Sequence, residues 1–182
     1  MTGSDRITSR ASRGHLPEGG EAVYDSPAET RGRVYGPFPV LLNHPELARR
    51  VGDLGTLIRY EGKLPDADRE LAIVATGRHF DCPYEWAAHA PIARESGVEE
   101  AVLEAIADEA DPADMPEPAA TIVAYVRAVF DDHAVPDETY DAALARYGES
   151  GVVELTTTMG FYSMIAAILN TFEVLPDEEH FA

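Results

Sequence analysis

The segment from Leu155 to Phe172 constrains this chain most: it carries no charged residue, and its apolar side chains fall on two sides of a helix. At 3.6 residues per turn, one stripe runs Val152, Leu155, Met159, Tyr162, Ala166, Leu169. A second runs Phe161, Ile165, Ile168, Phe172. A helix apolar nearly all round has to be enclosed. Its length raises the alternative of a membrane span. Its threonines, Gly160, Ser163 and Asn170 make it too polar for lipid, and the flanks Glu154 and Glu173 are acidic where a span prefers basic ones. The expectation is a buried bundle helix over 151–173, capped by Ser150, with part of its cover supplied by a second subunit.

The rest of the chain supplies further helices. Asn43-His44-Pro45 opens one over about 45–60, with proline in the first turn, where no N–H is needed, and Leu47, Val51, Leu54 and Ile58 on one face. Pro65 starts the next, with Asp66 and Asp68 complementing the helix dipole and Leu71, Val74 and Ala75 on the buried side. A third runs from Pro83 to Ser96 and stops at Gly97; a fourth covers 98–107 with Val102, Leu103 and Ile106 on one side. Beyond the acidic, proline-rich linker Asp111–Pro118, helices are expected over 118–132 and from Pro136 to about Tyr147, where Gly148 ends the second. Val34–Leu42 is apolar but holds Pro37 and Pro39, which predicts an extended packed segment. No stretch shows the apolar–polar alternation of a strand. The expected fold class is all-α, about six to seven helices in a single domain over 31–182. Residues 1–30, rich in Ser, Gly, Arg and Glu, are expected as a mobile tail or an arm over a neighbouring subunit.

Charge excludes several function classes. The 182 residues carry a net charge of −19, from 33 acidic residues against 14 basic ones, and Lys63 is the only lysine. Such a field repels phosphate backbones and anionic membranes, so neither nucleic acid nor a membrane is expected as partner. An anionic small molecule would need a local arginine. One cysteine, Cys82, excludes an intramolecular disulfide and a CxxC redox pair. The first thirty residues hold no apolar run of the kind a signal peptide requires, so a cytoplasmic location is expected.

Chemistry concentrates in Arg69-Glu70-Leu71 through His89. Pro83 breaks this stretch into two helices and leaves Cys82 in the turn. Glu85 and His89 are four apart and share one helix face, while Glu70 sits near the start of the preceding helix. Two carboxylates, a thiol and an imidazole thus converge near one turn. A Glu/His pair at this spacing is often only a surface contact, and a free cysteine is usually a small buried residue. A metal cage of His79, Cys82, Glu85 and His89 is geometrically conceivable, but no two-histidine helix motif is present.

The order Glu70, Cys82, Glu85, His89 in RELAIVATGRHFDCPYEWAAH, with the trailing GFYSMIAAILN, resembles the carboxymuconolactone decarboxylase and alkylhydroperoxidase-D-like superfamily over about residues 41–175. The resemblance implies an all-helical homo-oligomer, trimer or hexamer. It also implies a small-molecule substrate and no cofactor. The peroxidase branch of that superfamily pairs two cysteines; here Glu85 stands at the second position, so a dithiol cycle is blocked. Glu85 and His89 match the E-x-x-x-H pattern of the decarboxylase branch. The implied activity is a carbon–carbon lyase acting on a small carboxylated or lactone substrate, with His89 as general acid/base, Glu85 its partner and Glu70 a supporting carboxylate. Arg78, Cys82, Trp86, Tyr162 and Asn170 are the candidate substrate-binding residues. Two other readings stay open: a thiol-dependent peroxidase or reductase using Cys82, and a non-catalytic member that binds a small molecule or scaffolds an assembly.

Overall fold

Prolines and glycines punctuate this chain, and the helices fall between them. The computed structural model describes residues 6–21, 23–25 and 34–176, and among these every regular element is helical. Helix α1 is a single turn, Phe38–Leu41. It lies inside the segment expected to be extended. Pro37 and Pro39 do not prevent it, because Pro37 is the N-cap and Pro39 sits in the first turn, where missing N–H groups cost nothing.

Helix α2, Pro45–Thr56, starts with His44 as its cap, the ring Nδ1 accepting from Leu47 N at 3.3 Å. Its buried face differs from the bulky stripe that the spacing suggested. Ala48, Val51, Gly55 and Ile58 point inward, whereas Leu47 and Leu54 are 48% and 39% exposed. Small residues win the inner positions because they let the helix approach its neighbours closely. The helix does not end at Thr56 but widens into a π-helical turn, Leu57–Glu61.

Helix α3, Asp66–His79, is the axle of the molecule: every residue from Asp68 to Gly77 is buried. It packs against α4 (Pro83–Glu95), α6 (Ala119–Arg127) and α7 (Asp137–Thr171), with the short α5 (Glu100–Ala107) alongside. Gly97, at φ +100°, ends the α4 segment as expected. Helix α7 bends at Gly148, whose φ/ψ of 66°/176° is not helical, so the two helices expected on either side of this glycine meet end to end.

Two apolar clusters flank α3. Leu71, Val74 and Ala75 join one with α5, α6 and the middle of α7. Ile73 joins the other, with Phe38, Leu42, Ile58, Tyr84, Tyr162, Ile165 and Leu169. Helix α7 is long and apolar enough to cross a membrane by length and composition, with a mean hydropathy of 1.5 over its best window. Its inner stripe from Val152 to Leu169 packs into both clusters, while Val153 and Met164 remain 67% and 38% exposed.

Of the expected tail or arm, 6–21 and 23–25 lie on the chain's own body. Arg10 N donates to Pro39 O, Asn43 Nδ2 donates to Thr8 O, and Val23 is buried in the second cluster. The expectation for 1–5 and 26–30 falls outside the described residues.

Candidate active site

The α3–α4 hairpin builds the site. The two helices lie close together at Gly77, where an added Cβ would stand 3.0 Å from Cβ of Glu85. That contact presses the Glu85 side chain between the helices, 3% exposed. One turn further along α4, His89 is 6% exposed and meets Glu70 of α3, which is 0% exposed. His89 Nδ1 lies 2.7 Å from Glu70 Oε2. The opposite ring nitrogen, Nε2, lies 3.5 Å from Glu85 Oε2. Tyr162 of α7 closes edge-on over the imidazole, centroids 5.0 Å apart.

The pKa values of these two carboxylates are shifted in opposite directions. For Glu70, burial pushes the pKa up. The hydrogen bond and charge of His89, with Arg59 and Arg69 behind them, push harder the other way, and the net value is lowered. An ionised Glu70 only accepts hydrogen bonds, so Nδ1 of His89 carries the proton between them. Glu85 is different. Burial raises its pKa, and the nearby positive charges offset that only partly. Its Oε2 is a buried oxygen without a hydrogen-bond partner. A carboxyl with a raised pKa thus stands 3.5 Å from Nε2 of an oriented imidazole.

Glu85, His89 and Tyr162 open onto a cavity of about 400 Å³. Its walls are otherwise largely apolar or aromatic: Tyr35, Pro37, Phe38, Val51, Tyr84, Pro91, Ile92, Phe161 and Ile165. Pro91 lies inside α4, where it removes the N–H that would bond the Ala87 carbonyl. Among the described residues, one arginine lines the space. Arg59, on the π-helical turn after α2, lines the cavity and stacks over Tyr60 at 5.4 Å.

The site residues expected from sequence divide cleanly. Glu70, Glu85, His89 and Tyr162 come together as described. Arg78 does not reach the cavity. Its Nε donates to Ala107 O at 2.9 Å, and its other nitrogens pair with Asp81 and Glu109, so it fastens the hairpin loop to the end of α5. Cys82 is also outside. It is 2% exposed, its N–H bonds Gly77 O at the start of α4, and burial pushes its thiol up to about 11. Trp86 faces the first apolar cluster, away from the cavity. Asn170 is exposed and donates to Phe80 O at 2.8 Å. His79, weighed as a metal ligand, pairs with Asp131 at 3.7 Å and stacks on Phe80 and Phe130. Among the described residues no three His, Cys, Asp or Glu side chains form a metal-binding group. Arg59 and the aromatic wall were not anticipated. One signal for Arg59 existed: it extends the inward Val51–Gly55 stripe by one turn, an unusual place for a charge.

With this geometry in view, the likenesses to other proteins are informative. The fold is that of the alkylhydroperoxidase-D-like helical proteins. It superposes on the crystal structure of an alkylhydroperoxidase AhpD core, an uncharacterized peroxidase-related protein from Ralstonia eutropha JMP134. The TM-score is 0.74 at 22% identity, over 96% of this chain and 95% of that one. An uncharacterized peroxidase-related protein from Silicibacter sp. TM1040 gives 0.78 at 12% identity, over 100% and 96%. The debrominase Bmp8 gives 0.73 at 17% identity, over 96% and 94%, and has also been solved in complex with 2,3,4-tribromopyrrole. No curated protein matches the chain by sequence. Residues 45–128 match the sequence model of the Carboxymuconolactone decarboxylase family. That segment contains Arg59, Glu70, Glu85 and His89. Over that segment, a little under half of the chain, the sequence is similar to the Carboxymuconolactone decarboxylase family, and the fold is shared with the alkylhydroperoxidase-D-like structures.

Proposed function

We propose that the protein is a cofactor-independent carbon–carbon lyase that removes carbon dioxide from a small carboxylated lactone by acid–base chemistry. The observation that carries this reading is the buried Glu70–His89 bond of 2.7 Å, behind a cavity that His89 and Glu85 both line. In such a reaction the C–CO₂⁻ bond breaks and its electron pair stays on carbon. The conjugated lactone carbonyl accepts that pair as a dienolate, so the substrate provides its own electron sink. Glu85, whose pKa burial raises, hydrogen-bonds the developing enolate oxygen when protonated. His89 delivers a proton to carbon from Nε2, and Glu70 stabilises the imidazolium and fixes the ring, as the acid of a hydrolase triad does. Solvent then returns the proton.

Carbon dioxide release and solvent-deuterium incorporation test the reading. His89→Gln is expected to lower kcat by about 10²–10⁴, the usual worth of a positioned acid/base, and unchanged turnover would remove His89 from the mechanism. The thiol-dependent alternative requires an accessible thiolate. Burial of Cys82, with its pKa pushed up to about 11, counts against it. It predicts that Cys82→Ser abolishes activity, where the lyase reading predicts little change.

A further inference from the structure

The outer nitrogen of His89 has a second use. Histidine exchanges charged and neutral forms around neutrality. The charged form delivers a proton, as in the lyase step above. In the neutral form the single N–H sits at Nδ1, because Glu70, 2.7 Å away and with a lowered pKa, only accepts. Nε2 then keeps a lone pair and is a base. His89 and Glu85 line the cavity and Glu70 does not, so the ring presents its Nε2 side to the space. Glu85 Oε2 stands 3.5 Å from Nε2 and has no hydrogen-bond partner. Burial raises the pKa of this carboxyl, which favours the form that donates a hydrogen bond. An oriented base beside such a carboxyl, in a hollow walled by Phe38, Val51, Ile92, Phe161 and Ile165, is suited to carbon-acid chemistry. The base takes a proton from carbon while the carboxylic acid hydrogen-bonds the oxygen on which charge collects. Nothing in that arrangement requires a carboxylate to leave.

We infer that the site has a further activity, moving the double bond of small β,γ-unsaturated ketones into conjugation by carrying one proton from the α to the γ carbon. Nε2 of His89 removes the α proton. The C–H electron pair becomes a double bond to the carbonyl carbon, and the carbonyl π pair moves to oxygen, giving a dienolate. Glu85, when protonated, hydrogen-bonds that oxygen, and Glu70 steadies the imidazolium. The oxygen pair then restores the carbonyl, the new double bond shifts to the α,β position, and the γ carbon takes the proton back from Nε2. One base serves both carbons, because a planar dienolate presents them on the same face. His89 and Glu85 end as they began, and no co-reactant is consumed. The net charge of −19, which opposes the approach of an anion, does not oppose a neutral ketone. This activity stands on the Glu70–His89–Glu85 geometry and not on the lyase reading.

Cyclohex-3-en-1-one tests the inference, with the ultraviolet absorbance of the conjugated product as readout. The full chain is expected to form cyclohex-2-en-1-one above the buffer rate. His89→Gln should lower the enzymatic rate by about 10²–10⁴, the worth of a positioned acid/base. Glu85→Leu, which lacks the donor, should lower it by about 10²–10³, the cost of removing one donor to an oxyanion. Arg78→Gln, altered outside the cavity, should match the wild type. No product above the buffer rate with the wild type overturns the inference. So does a rate left unchanged in a folded His89→Gln protein. The wild-type measurement stands even if a variant fails to fold. If the ketone isomerises and no carboxylated lactone releases carbon dioxide, only the lyase assignment falls. If carbon dioxide is released and the ketone does not isomerise, only this further activity falls.

Discussion

The loop end of the α3–α4 hairpin and its middle carry similar side chains to opposite ends. At the loop, Arg78 spends its donors on Ala107 O, Asp81 and Glu109, and Cys82 is sealed from solvent. In the middle, Glu85 keeps an oxygen without a hydrogen bond, and Arg59, across the cavity, keeps its guanidinium unpaired among the described residues. Polar groups that hold a fold together have their hydrogen bonds filled from within the chain. Polar groups with capacity to spare in a concave, water-poor place are the ones positioned for a ligand.

Substitutions that exchange these conditions sharpen the contrast. After His89→Gln, the largest expected loss is in Glu70→Gln: kcat should fall by about 10²-fold or more as the imidazole loses its ionised partner. The same change should destabilise the protein at neutral pH by about 1–3 kcal/mol. Because Glu70 has a lowered pKa in the folded state, its stabilisation is present above the ordinary carboxylate value and lost as pH falls through the folded one. The penalty measured by urea titration should therefore shrink on acidification.

Glu85→Gln reverses the sign. A carboxyl whose folded pKa is raised binds a proton more tightly when folded, so its ionisation costs stability as pH rises above the unfolded value, about 4.3. The variant is expected to lose turnover yet melt higher than wild type at pH 7, with the gain fading near pH 4. A lower melting temperature at both pH values would mean that Glu85 is a satisfied structural group like those of the loop. Smallest of all, Arg78→Gln should cost about 1 kcal/mol of stability and leave KM within about twofold. A large rise in KM there would erase the distinction between the two regions.

How much of this was legible in the sequence follows the same division. Glu70, Glu85 and His89 were readable because their relation is local: two consecutive helices, a proline between them, and a four-residue spacing that aligns side chains. The break at Gly148 was readable for the same reason. Arg78 was misplaced because nearness along the chain to the hairpin turn does not tell which side of α3 a residue takes, and its side faces α5. The inward face of α2 was obscured because bulk dominates a pattern of apolar residues, whereas Ala48 and Gly55 were buried for their smallness. Arg59 and the wall from Tyr35 to Phe38 reach the cavity only once α2, α4 and α7 have packed, a relation that spacing within any one helix does not encode.

The widened turn at Leu57–Glu61 has a consequence of its own. A π-helical turn takes up one more residue than an α-helical one, and each α-helical residue advances the azimuth by about 100°. Arg59 sits within this wider turn, four residues past Gly55 on the inward line. Excising Leu57 or Ile58, which precede Arg59 in that turn, would set the guanidinium back one position, about 100° round the axis, and off the Val51–Gly55 line that faces the cavity. The cavity would then lose its guanidinium by a change of count, with Glu70, Glu85 and His89 untouched.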